Sequence, residues 1–197
     1  MPYGNDVTVE ELLPKLIADK HFYESTGGGV TLSGGECLMQ SEFCAWLLKA
    51  LKNEGINTAV DTCGFVPRTA IDAVLPYTDV FLYDVKAADS DVHKKCTGVP
   101  NEKIIENLKY IDSQGKAIEV RIPFVPGFND GEIEGIAGLL STLKNLTKVR
   151  VLHYHNYAGS KYESLGMENT LPEILPTNEQ LTAAKEILEK YNIKVVQ

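Results

Sequence analysis

Gly27-Gly28-Gly29-Val30-Thr31-Leu32-Ser33-Gly34-Gly35-Glu36 sets glycines on both sides of a short β-prone run that ends in a carboxylate. Such a run reads as a strand, Val30–Glu36, whose C-terminal loop lets backbone come close to a polar ligand. A glycine-rich turn alone also serves tight packing, so the stretch needs support from the rest of the chain. It is not one of the two common phosphate loops. There is no G-x-G-x-x-G with an acidic partner about 20 residues on, and no G-x-x-x-x-G-K-[ST].

Support comes from repetition. Asn57–Thr62, Val80–Lys86, Ala117–Phe124 and Lys148–His155 are further β-prone runs, separated by helix-length stretches and each ending in or near polar residues. The alternation predicts an α/β fold: an open, curved parallel sheet of about five strands with outer helices, a partial TIM-like barrel. A sheet of this kind is expected to be dry on both faces, with apolar strand interiors and its chemistry at the carboxyl ends. The polar set expected there is Ser33 and Glu36, Asp61 and Thr62, Asp84 and Lys86, Arg121, and His153 with His155.

Helices are expected at Thr8–Tyr23, Ser41–Asn53, Pro67–Leu75, Asn101–Ser113, Gly131–Leu143 and Asn178–Tyr191. Thr8 with Glu11 forms a capping-box pattern, and Pro14 demands a kink or a later start. Asn156–Thr177, broken by Gly159, Gly166, Pro172 and Pro176, reads as a long connection across the end of the sheet.

The 197 residues, 44% of them apolar, suffice for one domain with a real core. A net charge of −8 argues against a nonspecific nucleic-acid or anionic-membrane surface. No apolar run approaches the roughly 18 residues of a membrane span, and Met1-Pro2-Tyr3-Gly4 lacks the flanks of a secretion signal, so the expectation is a soluble cytoplasmic protein. The cysteines, Cys37, Cys44, Cys63 and Cys96, are too widely spaced for a zinc ribbon or a local iron–sulfur loop. Cys44, in Phe43-Cys44-Ala45-Trp46-Leu47-Leu48, reads as a buried helical residue, and Cys37 and Cys63 as reduced thiols near strand ends.

Taken in order, Gly28–Glu36, Asp61-Thr62-Cys63-Gly64-Phe65, Asp84-Val85-Lys86, Thr97-Gly98, Val120–Asp130, and Tyr154-His155 ahead of Gly159 and Lys161-Tyr162 resemble the radical S-adenosylmethionine enzymes that activate glycyl radical enzymes, the pyruvate formate-lyase activating enzyme group. The resemblance implies a single radical S-adenosylmethionine core domain over 1–197. It implies that Gly34, Gly35 and Glu36 hold the methionine amino group, with Ser33 also among the cofactor-binding residues. It further places Asp61, Lys86, Arg121 and His155 around the cofactor, and a monovalent cation at Asp61, Thr62 and Asp84. The chemistry is consistent, since the cofactor carries a sulfonium, an ammonium and a carboxylate, which call for Asp or Glu at one end and Lys or Arg at the other. A blander alternative is that Asp61, Lys86 and Arg121 merely neutralise one another.

The resemblance also implies a [4Fe–4S] cluster in the complete enzyme, flavodoxin or ferredoxin as electron donor, and a glycyl radical enzyme such as pyruvate formate-lyase as partner, with neither nucleic acid nor membrane among the partners. Two departures qualify it. Cys37 follows the Gly-Gly-Glu glutamate where Pro or another small residue is usual, and the family's C-x-x-x-C-x-x-C loop, expected after a first strand upstream of Met1, is not in these residues. The chain therefore reads as the cofactor- and partner-binding portion of an activase, lacking that strand and loop, with no catalytic residue of its own and inactive when alone. Two alternatives are a nonenzymatic module that docks a glycyl radical enzyme and another radical activity such as activation of anaerobic ribonucleotide reductase.

Overall fold

The computed structural model describes residues 5–155, 162, 166, 168 and 172–196. In chain order the elements are α1 (Val9–Ile17), α2 (Lys20–Thr26), β1 (Gly29–Leu32), α3 (Ser41–Asn53), β2 (Asn57–Thr62), α4 (Arg68–Val74), β3 (Val80–Asp84), α5 (Ser90–Thr97), α6 (Glu102–Ser113), β4 (Ala117–Phe124), α7 (Ile133–Leu140), β5 (Leu146–His153), α8 (Asn178–Lys190) and β6 (Val195–Val196). The strands take the order β1-β2-β3-β4-β5-β6 in one sheet. Pairing is parallel between β1 and β2, β2 and β3, and β5 and β6. Sequential order with helical crossovers is what the alternation requires. β1 and β6 are the two edges, so the sheet is open in the manner of a partial TIM-like barrel.

The chain divides into two compact units, residues 1–83 with 103–118 and residues 84–102 with 119–197. In the first, α3 buries Cys44, Leu47, Leu48 and Leu51. This i, i+3, i+4, i+7 stripe is the signature of a helix packed by one face, and Cys44 is indeed a core residue. α6 repeats the spacing with Ile104, Asn107, Leu108 and Ile111. Beneath them Thr58, Val60 and Thr62 of β2 and Phe81 and Tyr83 of β3 alternate with half-buried or exposed neighbours. The second unit follows the same rule. α7 buries Ile133, Ile136, Ala137 and Leu140, and the part of β4 in this unit buries Val120, Ile122 and Phe124.

The alternation corrects the expectation of two dry faces. One face of β4, with Ile118, Val120, Ile122 and Phe124, is apolar, whereas charge stands in mid-strand at Glu119 and Arg121 on β4 and at Lys148 and Arg150 on β5. Buried Glu119 is satisfied by Lys148 Nζ at 2.9 Å and by Arg150 Nε. Burial pushes the Glu119 carboxyl up, but these two hydrogen bonds outweigh it and hold the group below the usual carboxylate range.

Other boundaries shift for identifiable reasons. β1 stops at Leu32, not Glu36, because Gly34 and Gly35 take φ of +93° and +54°, which no strand accommodates. The expected first helix is two, interrupted at Ala18–Asp19, where Asp19 is a weak helix former. The Thr8/Glu11 capping box forms as expected, and α1 continues through Pro14. α5 and β6 are additions. α5 buries only His93 and is held at its start by Asp89, whose side chain accepts from the Asp91 and Val92 amides. β6 extends the sheet from about five strands to six through Val149–Val195 and Arg150–Val196 pairs. Most of Asn156–Thr177, Gly159 and Lys161 included, lies outside the described residues. No described helix is long and apolar enough to cross a membrane.

Candidate functional site

In the first unit the turn after β1 is built around Glu36. Gly34 and Gly35 occupy the left-handed region with open space where a Cβ would stand, so conformation, not crowding, selects glycine there. Glu36 then caps the 3₁₀ turn Cys37–Gln40 through Oε1, which accepts from the Leu38 amide at 3.2 Å. The same oxygen accepts from Thr62 Oγ1 at 2.8 Å. Oε2 accepts from the Cys63 amide at 3.0 Å and from its thiol at 3.2 Å. One carboxylate thus joins the loop after β1 to the loop after β2. Beside it Ser33 Oγ donates to Asp61 Oδ2 at 2.8 Å.

The loop after β2 is fastened from behind. Thr62 Oγ1 accepts from the Gly64 amide at 2.9 Å. Buried Asn107 of α6 donates to the Gly64 and Val66 carbonyls at 2.9 and 3.0 Å and accepts from Arg68 Nε at 3.0 Å. Gly64 has φ of +71°, and any Cβ there would overlap the Tyr83 phenol. That phenol is itself tied to the Ile104 carbonyl at 2.7 Å.

All four cysteines are free thiols. Cys37 donates toward the Leu32 and Asp61 carbonyls, and the Cys44 thiol donates to the Cys37 carbonyl at 3.2 Å. The Cys37 hydrogen bond with Cys44, its burial and the adjacent Glu36 and Asp61 carboxylates keep the Cys37 thiol protonated far above the usual range. Ser33, Gly34 and Glu36 line a cavity of about 470 Å³ whose opposite wall includes Leu12, Phe43 and Leu47.

In the second unit the centre is Asp84, the last residue of β3. Its Oδ1 accepts from Arg121 Nε and Nη2 at 3.1 and 3.0 Å, and its Oδ2 from Lys86 Nζ at 3.1 Å. All three side chains are between a fifth and a third exposed. Lys86 also lines a cavity of about 480 Å³ with Lys95, Thr97, Phe128, Asn129 and Tyr154. His155 stands exposed two residues past β5.

The structure therefore brings together Ser33 with Asp61, Glu36 with Thr62, and Asp84 with Lys86 and Arg121. Asp84, expected at the cation site, pairs with Lys86 and Arg121. The Thr62 hydroxyl is buried and engaged on both sides, and both Asp84 oxygens already face cationic donors. Among the described residues no group of three or more His, Cys, Asp or Glu could hold a metal.

Sequence reading passed over Asn107 and the Glu119–Lys148–Arg150 cluster, and quoted Asn129 within the Val120–Asp130 motif without giving it a role. The cluster had a signal, charges at alternate positions within two β-prone runs. Asn107 had none, since an amide that satisfies distant loop backbone leaves no periodic trace.

Comparison with known proteins adds the following. The Radical SAM superfamily model matches residues 1–140. The choline trimethylamine-lyase activating enzyme of Oleidesulfovibrio alaskensis is 42% identical over 171 residues, which are 84% of this chain and 55% of that protein. The pyruvate formate-lyase 1-activating enzyme of Escherichia coli is 35% identical over 198 residues, 98% of this chain and 80% of that one. The chain thus spans little more than half the length of the first of these relatives. Among solved structures, a domain of the pyruvate-formate lyase-activating enzyme from Bacteroides vulgatus superposes with a TM-score of 0.71 at 30% identity, over 86% of this chain and 98% of that one. Streptococcus suis SuiB bound to S-adenosylmethionine reaches 0.77 at 15% identity, over all of this chain and 44% of SuiB, a likeness of fold alone.

Proposed function

The chain belongs to the radical S-adenosylmethionine superfamily and, within it, to the activating enzymes of glycyl radical enzymes, and from that premise we propose that it is the cofactor- and partner-binding portion of such an activase. The observation that carries the reading is the complementary charge of the two residue sets. Ser33, Asp61 and Glu36 form an anionic, hydrogen-bonded set. Lys86 and Arg121 share one carboxylate and so present a net positive charge. Those are the groups needed by the ammonium and the carboxylate of an amino-acid-like ligand.

Each residue then has a task. The Ser33–Glu36 turn presents backbone to the methionine end, and Asp61 receives its ammonium. Glu36 acts mainly by holding the turn, because protein donors already occupy both its oxygens. Lys86 and Arg121 attract the carboxylate, and His155 flanks the ligand. The 480 Å³ cavity, walled by Phe128, Tyr154 and Val125, receives an extended glycine-bearing segment of the partner and keeps water from it. In a complete activase S-adenosylmethionine would supply the hydrogen-abstracting chemistry, and a flavodoxin or ferredoxin would be the electron donor.

The iron–sulfur cluster does not fit the residues present, since no C-x-x-x-C-x-x-C occurs in the sequence; no step is assigned to it. The 1–197 chain is accordingly read as one radical S-adenosylmethionine core that does not cleave the cofactor by itself. Calorimetric titration with S-adenosylmethionine tests this. Binding should be weak, and Asp61→Ala or Lys86→Ala should weaken it further. A submicromolar dissociation constant, or indifference to both substitutions, would overturn the assignment.

A further inference from the structure

Lys86 lies just beyond β3 in a stretch, residues 86–89, that has no regular secondary structure and whose backbone is nevertheless satisfied by side chains from elsewhere in the second unit. Asn129 donates through Nδ2 to the Lys86 carbonyl and to the Pro123 carbonyl, both at 2.7 Å, while its Oδ1 accepts from the Val125 amide at 2.8 Å. Asn101 donates to the Ala87 and Ala88 carbonyls, each at 3.0 Å. Glu132 Oε2 accepts from the Ala88 and Asp89 amides at 3.0 and 2.8 Å. Asn129 and Asn101 are 3% and 2% exposed.

We propose that Asn129, seconded by Glu132, is a positioning residue that fixes where the Lys86 ammonium meets the ligand. The proposal rests on the cofactor-binding reading above. An amide that makes three short bonds in a buried site uses nearly all of its capacity and has one allowed orientation. It joins the exit of β3, at Lys86, to the exit of β4, at Pro123, so the Lys86 Cα cannot shift without breaking a bond. A lysine stem amplifies any such shift at its Nζ, and binding constellations tolerate only about 0.5 Å of misplacement. Asn129 and Lys86 also line the same cavity, so the clamp lies next to the side chain it positions.

A double-mutant cycle on S-adenosylmethionine affinity separates positioning from mere structural support. The chain, Lys86→Ala, Asn129→Ala and the double variant would be titrated with S-adenosylmethionine under ligand-observed NMR, which reads millimolar constants. We expect Asn129→Ala to weaken binding about 5-fold, and the double variant to bind no more weakly than Lys86→Ala, because the clamp has nothing to position once the ammonium is gone. Additive losses, or Asn129→Ala at wild-type affinity beside a weakened Lys86→Ala, would overturn the positioning role alone. Lys86→Ala at wild-type affinity would overturn the cofactor reading and the proposal together. If Asn129→Ala does not fold, Glu132→Ala decides. It should weaken binding about 2-fold in the parent and not at all with Lys86→Ala, and wild-type affinity in the single variant would overturn the proposal.

Discussion

The two halves of the candidate residue set, one in each unit, are held by different physics. In the first unit one carboxylate, Glu36, accepts from a hydroxyl, a thiol and two backbone amides, and conformation-restricted glycines shape the turn. In the second unit two cations converge on Asp84 across partly hydrated surface. Short hydrogen bonds to a half-buried carboxylate depend on geometry and little on salt, whereas partly exposed ion pairs are screened. The first half should thus fail through shape and the second through charge.

The largest effect is expected at Gly64. Gly64→Ala meets both a left-handed backbone and the Tyr83 phenol, so a loss of about 3–5 kcal/mol or failure to fold is expected in urea denaturation. Gly34→Ala, with open space around it, should cost only about 1 kcal/mol; equal costs would mean that crowding was misread. Next comes Glu36→Ala, which strands the buried Thr62 hydroxyl and the Cys63 amide, at about 2–4 kcal/mol, unchanged between low and high salt. A salt-dependent loss would erase the contrast between the halves. Asp84→Asn removes the carboxylate charge that Lys86 and Arg121 share, and with partial exposure discounted the cost should be about 1–2 kcal/mol. That cost should rise as salt is lowered, since unscreened Lys86 and Arg121 then repel each other more strongly.

The smallest effect lies on the acid limb. Glu119 in the second unit and Asp79 in the first both titrate below their ordinary values. For Asp79, burial pushes upward, but Lys52 at 2.8 Å and the Thr58 amide at 2.8 Å outweigh it. A depressed folded pKa contributes stability that is present above the unfolded value, near 3.9 for Asp and 4.3 for Glu, and is lost as pH falls through the folded one. Glu119→Gln and Asp79→Asn should each flatten the loss of stability measured between about pH 5 and 3. An unchanged slope in either variant would remove that residue from the acid response.

Much of the scaffold was legible because burial imposes a period. α3 spans Ser41–Asn53, and β2 and β4 span Asn57–Thr62 and Ala117–Phe124, as the apolar spacing predicts. α5 was not legible, since Ser90–Thr97 contributes only His93 to the interior and depends on the Asp89 cap. β6 is two residues long and owes its existence to the edge of β5. In the site, motif resemblance picked out Ser33, Glu36, Asp61, Asp84, Lys86 and Arg121 but not their pairing. Partner choice depends on which strand ends meet, and that is set by topology, not by neighbours along the chain. Hence the resemblance named Asp84 but not its pairing with Lys86 and Arg121.

Asn107 turns the geometry of the loop after β2 into a timetable. Its amide holds the Gly64 carbonyl across 43 positions of sequence, so on the ribosome Gly64 waits for that many further residues before its loop can close. At roughly 5–20 residues per second the delay is about 2–9 s, during which β2 exists without its closing contact. The turn that carries Thr62 and Cys63 is accordingly among the last parts of the first unit to mature, and a nascent chain released before Asn107 would present this loop unlatched to proteases and chaperones.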